Sequence, residues 1–339
     1  MLILSAADVR ATVPMAEAIR LMGVAFADLA AGRAVAPLRT PLVDEARGSH
    51  TLFMPAAVPA VGGLGLKVVS VYPTNAARGL PAVVALVALL DADTGQALAV
   101  LDGTFLTALR TGAVSGQATE LLAREDVKTL LCIGAGAQAF TQVWAVCTAR
   151  PGIERVLVHS RSHASAARLI ARLRDELPEL GARAAVADDL GAAVRAADVI
   201  CAATSSATPV FADADVRPGT HINAVGAYTT AMQEVPAATV ARARVVVDAV
   251  EAALAEAGDL VIPLRQGLIA RAHLETELGQ VVGGARRAAR RRRRALGHAR
   301  GRLRGAHNST RWPRPVASAR STAKRATAMS CTAFPTDLN

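Results

Sequence analysis

The stretch Lys128-Thr-Leu-Leu-Cys-Ile133, Gly134-Ala-Gly-Ala-Gln-Ala139, Phe140-Thr-Gln-Val-Trp-Ala-Val-Cys-Thr148 decides the fold. Its first part is a short apolar run, the pattern of a strand buried on both faces. Its last part is apolar at helical spacing. Between them lies GxGxxA. The first glycine permits a tight turn, the second lets backbone N–H groups approach a pyrophosphate, and the small third residue lets the helix close on the strand. Glycine-rich turns are common, but this one sits between a strand and a helix with a second strand following, which is the context a dinucleotide site requires. The second strand, Arg155–His159, ends in His159-Ser160-Arg161-Ser162. An NAD-selective site places Asp or Glu there for the ribose 2′-hydroxyl. No carboxylate is offered here, and Arg161 suits a 2′-phosphate, so NADP(H) is favoured over NAD(H).

Outward from this unit the alternation continues. Helices are expected at 164–176 and 190–196, and strands at 184–187, 199–203, 221–225 and 244–247. Strands alternating with helices predict an α/β fold with a Rossmann-type doubly wound sheet. Upstream, residues 6–32 read as one helix with Ser5 as N-cap, followed by a meander of strands over 51–54, 65–71, 82–91 and 97–101 and a helix over 104–124. This gives an α/β substrate-binding and dimerisation domain over 1–112 and a nucleotide-binding domain over 113–284.

The chain has 339 residues, 52% hydrophobic and 19% charged, with a net charge of +10. That charge suggests a nucleic-acid binder until it is divided. Residues 285–339 hold 14 Arg, 1 Lys and 1 Asp, whereas residues 1–284 hold 23 basic and 27 acidic side chains. The body is mildly acidic, so nucleic acid is expected at most as a non-specific partner of the tail. Cys132, Cys147, Cys201 and Cys331 lack metal-ligand spacing, and His159 and His163 straddle a strand end without further ligands, so no metal is expected. The longest apolar run, Ala82 to Leu90, is too short to span a bilayer. A cytoplasmic protein follows.

Several segments in order resemble the ornithine cyclodeaminase/mu-crystallin family: Pro37-Leu-Arg-Thr40, Phe53-Met-Pro55, Gly65-Leu-Lys67, Gly79-Leu-Pro81, Asp102-Gly103 and Thr107-Ala-Leu-Arg-Thr-Gly-Ala-Val114. The glycine turn, His221-Ile-Asn-Ala-Val-Gly226, Glu256-Ala-Gly-Asp259 and Glu277-Leu-Gly279 continue it. The resemblance implies a two-domain homodimer acting on α-amino or α-imino acids with a nicotinamide cofactor. It implies that Arg39 and Lys67 are catalytic residues binding the substrate carboxylate, with Arg110 beside substrate and cofactor. It places Thr111, Gly134, Gly136, Ala137, Gln138, Ser160, Arg161, Thr204, Ala224, Val225 and Gly226 with Arg110 around the cofactor. A planar guanidinium can grip a carboxylate in two places, and an ammonium adds a point charge.

One departure narrows the activity. Cyclodeaminases carry a catalytic Asp just after this Gly226 stretch, and here Tyr228 stands in its place. Loss of ammonia needs a carboxylate to manage protons, and tyrosine, with an ordinary pKa of about 10, does not replace one. The segment Tyr228-Thr-Thr-Ala-Met-Gln-Glu234 is closer to the imine-reducing branch. The reading is therefore NAD(P)H-dependent reduction of Δ1-pyrroline-2-carboxylate or Δ1-piperideine-2-carboxylate, with Lys67 or water protonating the imine. The alternatives are an ornithine or lysine cyclodeaminase, an alanine-dehydrogenase-like enzyme, and a non-catalytic mu-crystallin-like binding protein.

The resemblance stops near Gly284. Family members continue into a Phe-Lys-Ser-x-Gly segment and a long helix that packs back on the N-terminal domain. Neither is legible in residues 285–339, where Arg290–Arg294 are consecutive and no apolar period persists. A disordered basic tail is expected, as an out-of-frame reading of a GC-rich gene would produce.

Overall fold

The computed structural model describes residues 1–37, 39–284 and 319–332. Among the described residues there are two sheets. The first has six strands, β1 (Leu2–Leu4), β2 (Thr40–Asp44), β3 (Ser49–Val58), β4 (Gly63–Val71), β5 (Val83–Leu90) and β6 (Ala97–Asp102), in the order β1-β6-β5-β4-β3-β2. Strands β2 to β6 form an antiparallel meander, and β1 joins its edge parallel to β6. The second sheet is wholly parallel: β7 (Thr129–Ile133), β8 (Arg155–His159), β9 (Ala184–Val186), β10 (Val199–Ala202) and β11 (His221–Ala224). Its order, β9-β8-β7-β10-β11, is the doubly wound arrangement, with the switch point between β7 and β10. Each residue of β7 is buried, as its unbroken apolar run requires.

Helices join these layers. Helix α1 (Ala6–Thr12) starts in a capping box, with Ser5 and Asp8 each accepting the other's backbone N–H. Helix α2 (Met15–Ala30) follows at once, so the expected single helix over 6–32 is broken. Pro14 has no N–H to continue α1, and its fixed φ starts α2. Helix α3 (Gly103–Leu122) crosses to the second sheet. It meets helix α4 (Ala139–Ala149) at Gly112, where a Cβ would collide with the Thr141 carbonyl oxygen. Only glycine permits that approach, and it sets α3 beside the glycine turn.

The expected strand at 244–247 does not form. Val247 makes an isolated parallel bridge to Glu277 instead. The β-branched run there is short and packs as an irregular segment.

The tail expectation is corrected over Ala319–Thr332, which is a helix packed on the N-terminal layer. Ala323, Ala326, Ala328 and Met329 are fully buried, and Lys324 pairs with Glu17 of α2 at 2.7 Å. The Met329 sulfur lies 2.7 Å from where a Cβ on Gly65 of β4 would stand. A closing helix is therefore present. Its buried face is built from Ala, Thr and Met, and such small residues leave no strong apolar period in the sequence. The readings made of 285–318 and 333–339 lie outside the described residues.

Candidate active site

The carboxyl edge of the parallel sheet gathers the residues expected around a cofactor. Gly134 follows β7 with φ +103°, and a Cβ there would collide with the Ala203 carbonyl oxygen. Its N–H donates to the His159 carbonyl at 2.8 Å, tying the turn to the end of β8. Gly136 and Ala137 are exposed, and a Cβ on Gly136 would meet nothing within 4 Å. Gln138 caps α4 with its backbone but makes no side-chain cap, while Ala139 is fully buried. An open glycine cradle at a helix N-terminus without a side-chain cap fits a pyrophosphate. Ser160 and exposed Arg161 stand after β8, Thr204 after β10, and Ala224, Val225 and Gly226 at the end of β11.

The loops after β10 and β11 are fastened together by a residue to which sequence reading assigned no role. Glu234 is fully buried, and its two carboxylate oxygens accept the N–H groups of Thr204 at 2.5 Å and Gly226 at 2.6 Å. Asp259 in turn accepts the N–H groups of Glu234 and Val235 at 2.7 and 2.8 Å. Burial pushes both carboxyls up, Asp259 to about 6. Gly226 has no room for a side chain, since a Cβ would run into the Thr204 carbonyl oxygen. Tyr228, two residues on, is 58% exposed.

The three cations expected at the substrate come from three elements. Lys67 is on β4, opposite Met54 of β3 and Val87 of β5, and is 2% exposed. Strand alternation puts it on the side of the sheet that packs on the helices. Arg39 lies just before β2, with a side chain only 7% exposed, and donates to Glu256 at 3.0 Å. Arg110 is on α3 one residue before Thr111, whose hydroxyl donates to the Thr107 carbonyl in its own helix.

Two carboxylates share this neighbourhood, and neither received a role from the sequence. Glu256 ends helix α5 (Val250–Glu256), and Asp248 precedes it. Burial lifts Glu256 to about 8 despite the opposing pull of Arg39 and Arg110, and the nearby Asp248 adds to the rise. Asp248 is also raised, chiefly by burial, with Arg110 working against it. His50 on β3 is lowered by burial and by the charge of Arg39, which keeps the ring neutral. Glu256 belongs to a family-like motif, but only the fold reveals that its carboxylate meets Arg39 across 217 positions of chain.

An open glycine cradle after the first strand of a parallel sheet narrows the possible families, and comparison with known proteins names one. The model of the ornithine cyclodeaminase/mu-crystallin family matches residues 1–295. The chain belongs to that family. Among relatives, a Δ1-pyrroline-2-carboxylate reductase of Bacillus cereus is 39% identical over 285 residues, covering 84% of this chain and 86% of that protein. The solved Δ1-pyrroline-2-carboxylate reductase of Thermococcus litoralis, in complex with NADH and L-proline, is 39% identical with a TM-score of 0.79, covering 84% and 87%. An archaeal alanine dehydrogenase dimer with bound NAD is 33% identical with a TM-score of 0.76, covering 84% and 86%. The family resemblance and the α/β fold read from the sequence are thus both met.

Proposed function

We propose that this chain is an NAD(P)H-dependent reductase of a cyclic 2-imino acid, Δ1-pyrroline-2-carboxylate or Δ1-piperideine-2-carboxylate, yielding the cyclic amino acid. The observation that carries the reading is the open glycine cradle after β7, together with the buried side chains of Arg39 and Lys67, in a chain with Tyr228 where cyclodeaminases hold an aspartate. The likeness to the B. cereus and T. litoralis reductases supports it. When bound, the nicotinamide supplies a hydride for the imine carbon, and the nitrogen takes a proton as C=N becomes CH–NH. Arg39 and Lys67 grip the carboxylate and so fix the imine's position. Gly134, Gly136, Ala137 and Gln138 hold the pyrophosphate, with Arg110 and Thr111 alongside. Lys67 or a bound water donates the proton to the nitrogen. The test is NAD(P)H oxidation with each imine. Turnover is expected with at least one, without proline formation from ornithine. Oxidation with pyruvate and ammonia alone would instead favour an alanine dehydrogenase.

Two further parts of the reading have their own tests. Ser160 and Arg161 offer no carboxylate at the end of β8, which supports a preference for NADPH. Arg161→Ala is then expected to raise KM for NADPH about tenfold, the worth of one charge-assisted phosphate contact, and to leave KM for NADH unchanged. Thr204 and Gly226 lie along the cofactor, so Glu234 acts as a positioning residue. Glu234→Gln faces one of the two N–H donors with an amide NH2. Leaving such a donor unpaired costs roughly 1–3 kcal/mol, and KM for the dinucleotide is expected to rise at least about fivefold with KM for the imine little changed. A fall in thermal stability with both KM values intact would remove Glu234 from the cofactor site.

A homodimer is the expected assembly. The face of the first sheet opposite the helices carries exposed Leu42, Val84 and Leu86, and Thr51, Phe53, Val68 and Ser70 are aligned with them in register. Exposed apolar side chains on one sheet face suit a protein contact, and the archaeal alanine dehydrogenase relative is a dimer.

A further inference from the structure

Arg39 is the residue expected to grip the substrate carboxylate, yet its guanidinium already donates to a carboxyl of the chain itself. The Arg39–Glu256 contact spans 3.0 Å, and the two side chains are 7% and 17% exposed. The contact uses Nη2 of Arg39, and an incoming carboxylate beside it competes for the charge of the same guanidinium. The groups around Glu256 are Arg39 from the segment before β2, Arg110 from α3 and Asp248 ahead of α5. His50 on β3 lies within the field of Arg39, and Glu277 within that of Asp248. A substrate carboxylate added to Asp248 and Glu256 would put three carboxylates around the two arginines. Burial already disfavours the charged form of Glu256, so it is the group that yields.

Resting on the imino-acid reading above, we propose that Glu256 is a displaceable partner for Arg39: it holds the guanidinium in the free protein and gives it up, as a neutral acid, to the carboxylate of the substrate. Binding then carries a proton into the site whenever Glu256 starts ionised. Burial lifts the Glu256 carboxyl to about 8 in the free protein. Below that pH it already holds the proton, and binding takes up none. Above it, each pH unit costs about tenfold in affinity, because the proton must be recovered from water.

The test is calorimetry of L-proline binding to the NADH-loaded protein at pH 7 and pH 9, in two buffers of different ionisation enthalpy. L-Proline carries the same carboxylate, and its amine stays protonated over this range. Uptake approaching one proton is expected at pH 9 and little at pH 7, with affinity weaker at pH 9 by about tenfold. Glu256→Gln should abolish both the uptake and the pH dependence, and should bind L-proline more tightly than the natural protein at pH 9. That gain sets it apart from a structural residue, whose loss weakens binding. Absence of proton uptake at pH 9 in the natural protein, or uptake that persists in Glu256→Gln, overturns the proposal, as does weaker binding by that variant while it still binds NADH. If the imines are turned over and L-proline binds without proton uptake, only this proposal falls. If neither imine is turned over and L-proline does not bind, the imino-acid reading falls and takes the proposal with it.

Discussion

Lys67→Met is expected to lower kcat/KM for the imine by about a thousandfold while leaving NADH affinity and fold intact. Methionine nearly matches the volume of the lysine stem, so the space between Met54 and Val87 stays filled. The ammonium is what is lost. Removing one member of a buried, hydrogen-bonded charge pair costs about 2–5 kcal/mol, and about 1.4 kcal/mol corresponds to a factor of ten. Lys67 is 2% exposed, so water cannot replace the missing charge. Steady-state kinetics with Δ1-pyrroline-2-carboxylate, alongside a NADH binding titration, makes the check. A loss of less than tenfold would place the substrate carboxylate elsewhere.

Ending the chain at Gly284 is expected to be the most destabilising change. It removes Ala319–Thr332 and with it the fully buried Ala323, Ala326, Ala328 and Met329. Truncating one buried methionine alone costs about 2–5 kcal/mol. At about 2–4 °C per kcal/mol for a domain of 150–250 residues, the melting temperature should fall by at least about 5 °C. The bed around Gly63 and Gly65 would be opened, and aggregation on heating should follow. A point variant separates the helix from the basic run before it. Ala326→Asp buries a charge at a position with no exposure and should reproduce most of the loss. A truncated chain melting at the same temperature as the full chain would show that the helix adds nothing to the N-terminal layer.

Both predictions bear on how much could be read without coordinates. The glycine turn was legible because Gly134 and Gly136 answer local demands: a positive φ in one case and open space in the other. The parallel sheet was legible because β7 is a short apolar run bounded by turn signals. Lys67 stood out as a lone charge among Leu64, Leu66, Val68 and Val69. What was missed is non-local or faint. Glu256 acquires its meaning from Arg39, and Glu234 from the backbones of Thr204 and Gly226, and no local pattern records such pairings. The C-terminal helix was hidden by alanines and arginines that give little contrast between its faces. The run Arg244-Val-Val-Val247 has strand propensity, but among the described residues no strand pairs with it beyond the single bridge to Glu277.

The central claim is hydride transfer to a carboxylate-anchored imine. It is tested most directly by incubating the chain with Δ1-pyrroline-2-carboxylate and NADH deuterated at C4 of the nicotinamide, on either face in turn, and analysing the amino acid by mass spectrometry. One label is expected to yield proline with a single deuterium at Cα and the other unlabelled proline, with product equal to NADH consumed. Unlabelled proline from both, or NADH oxidised without proline, would contradict it.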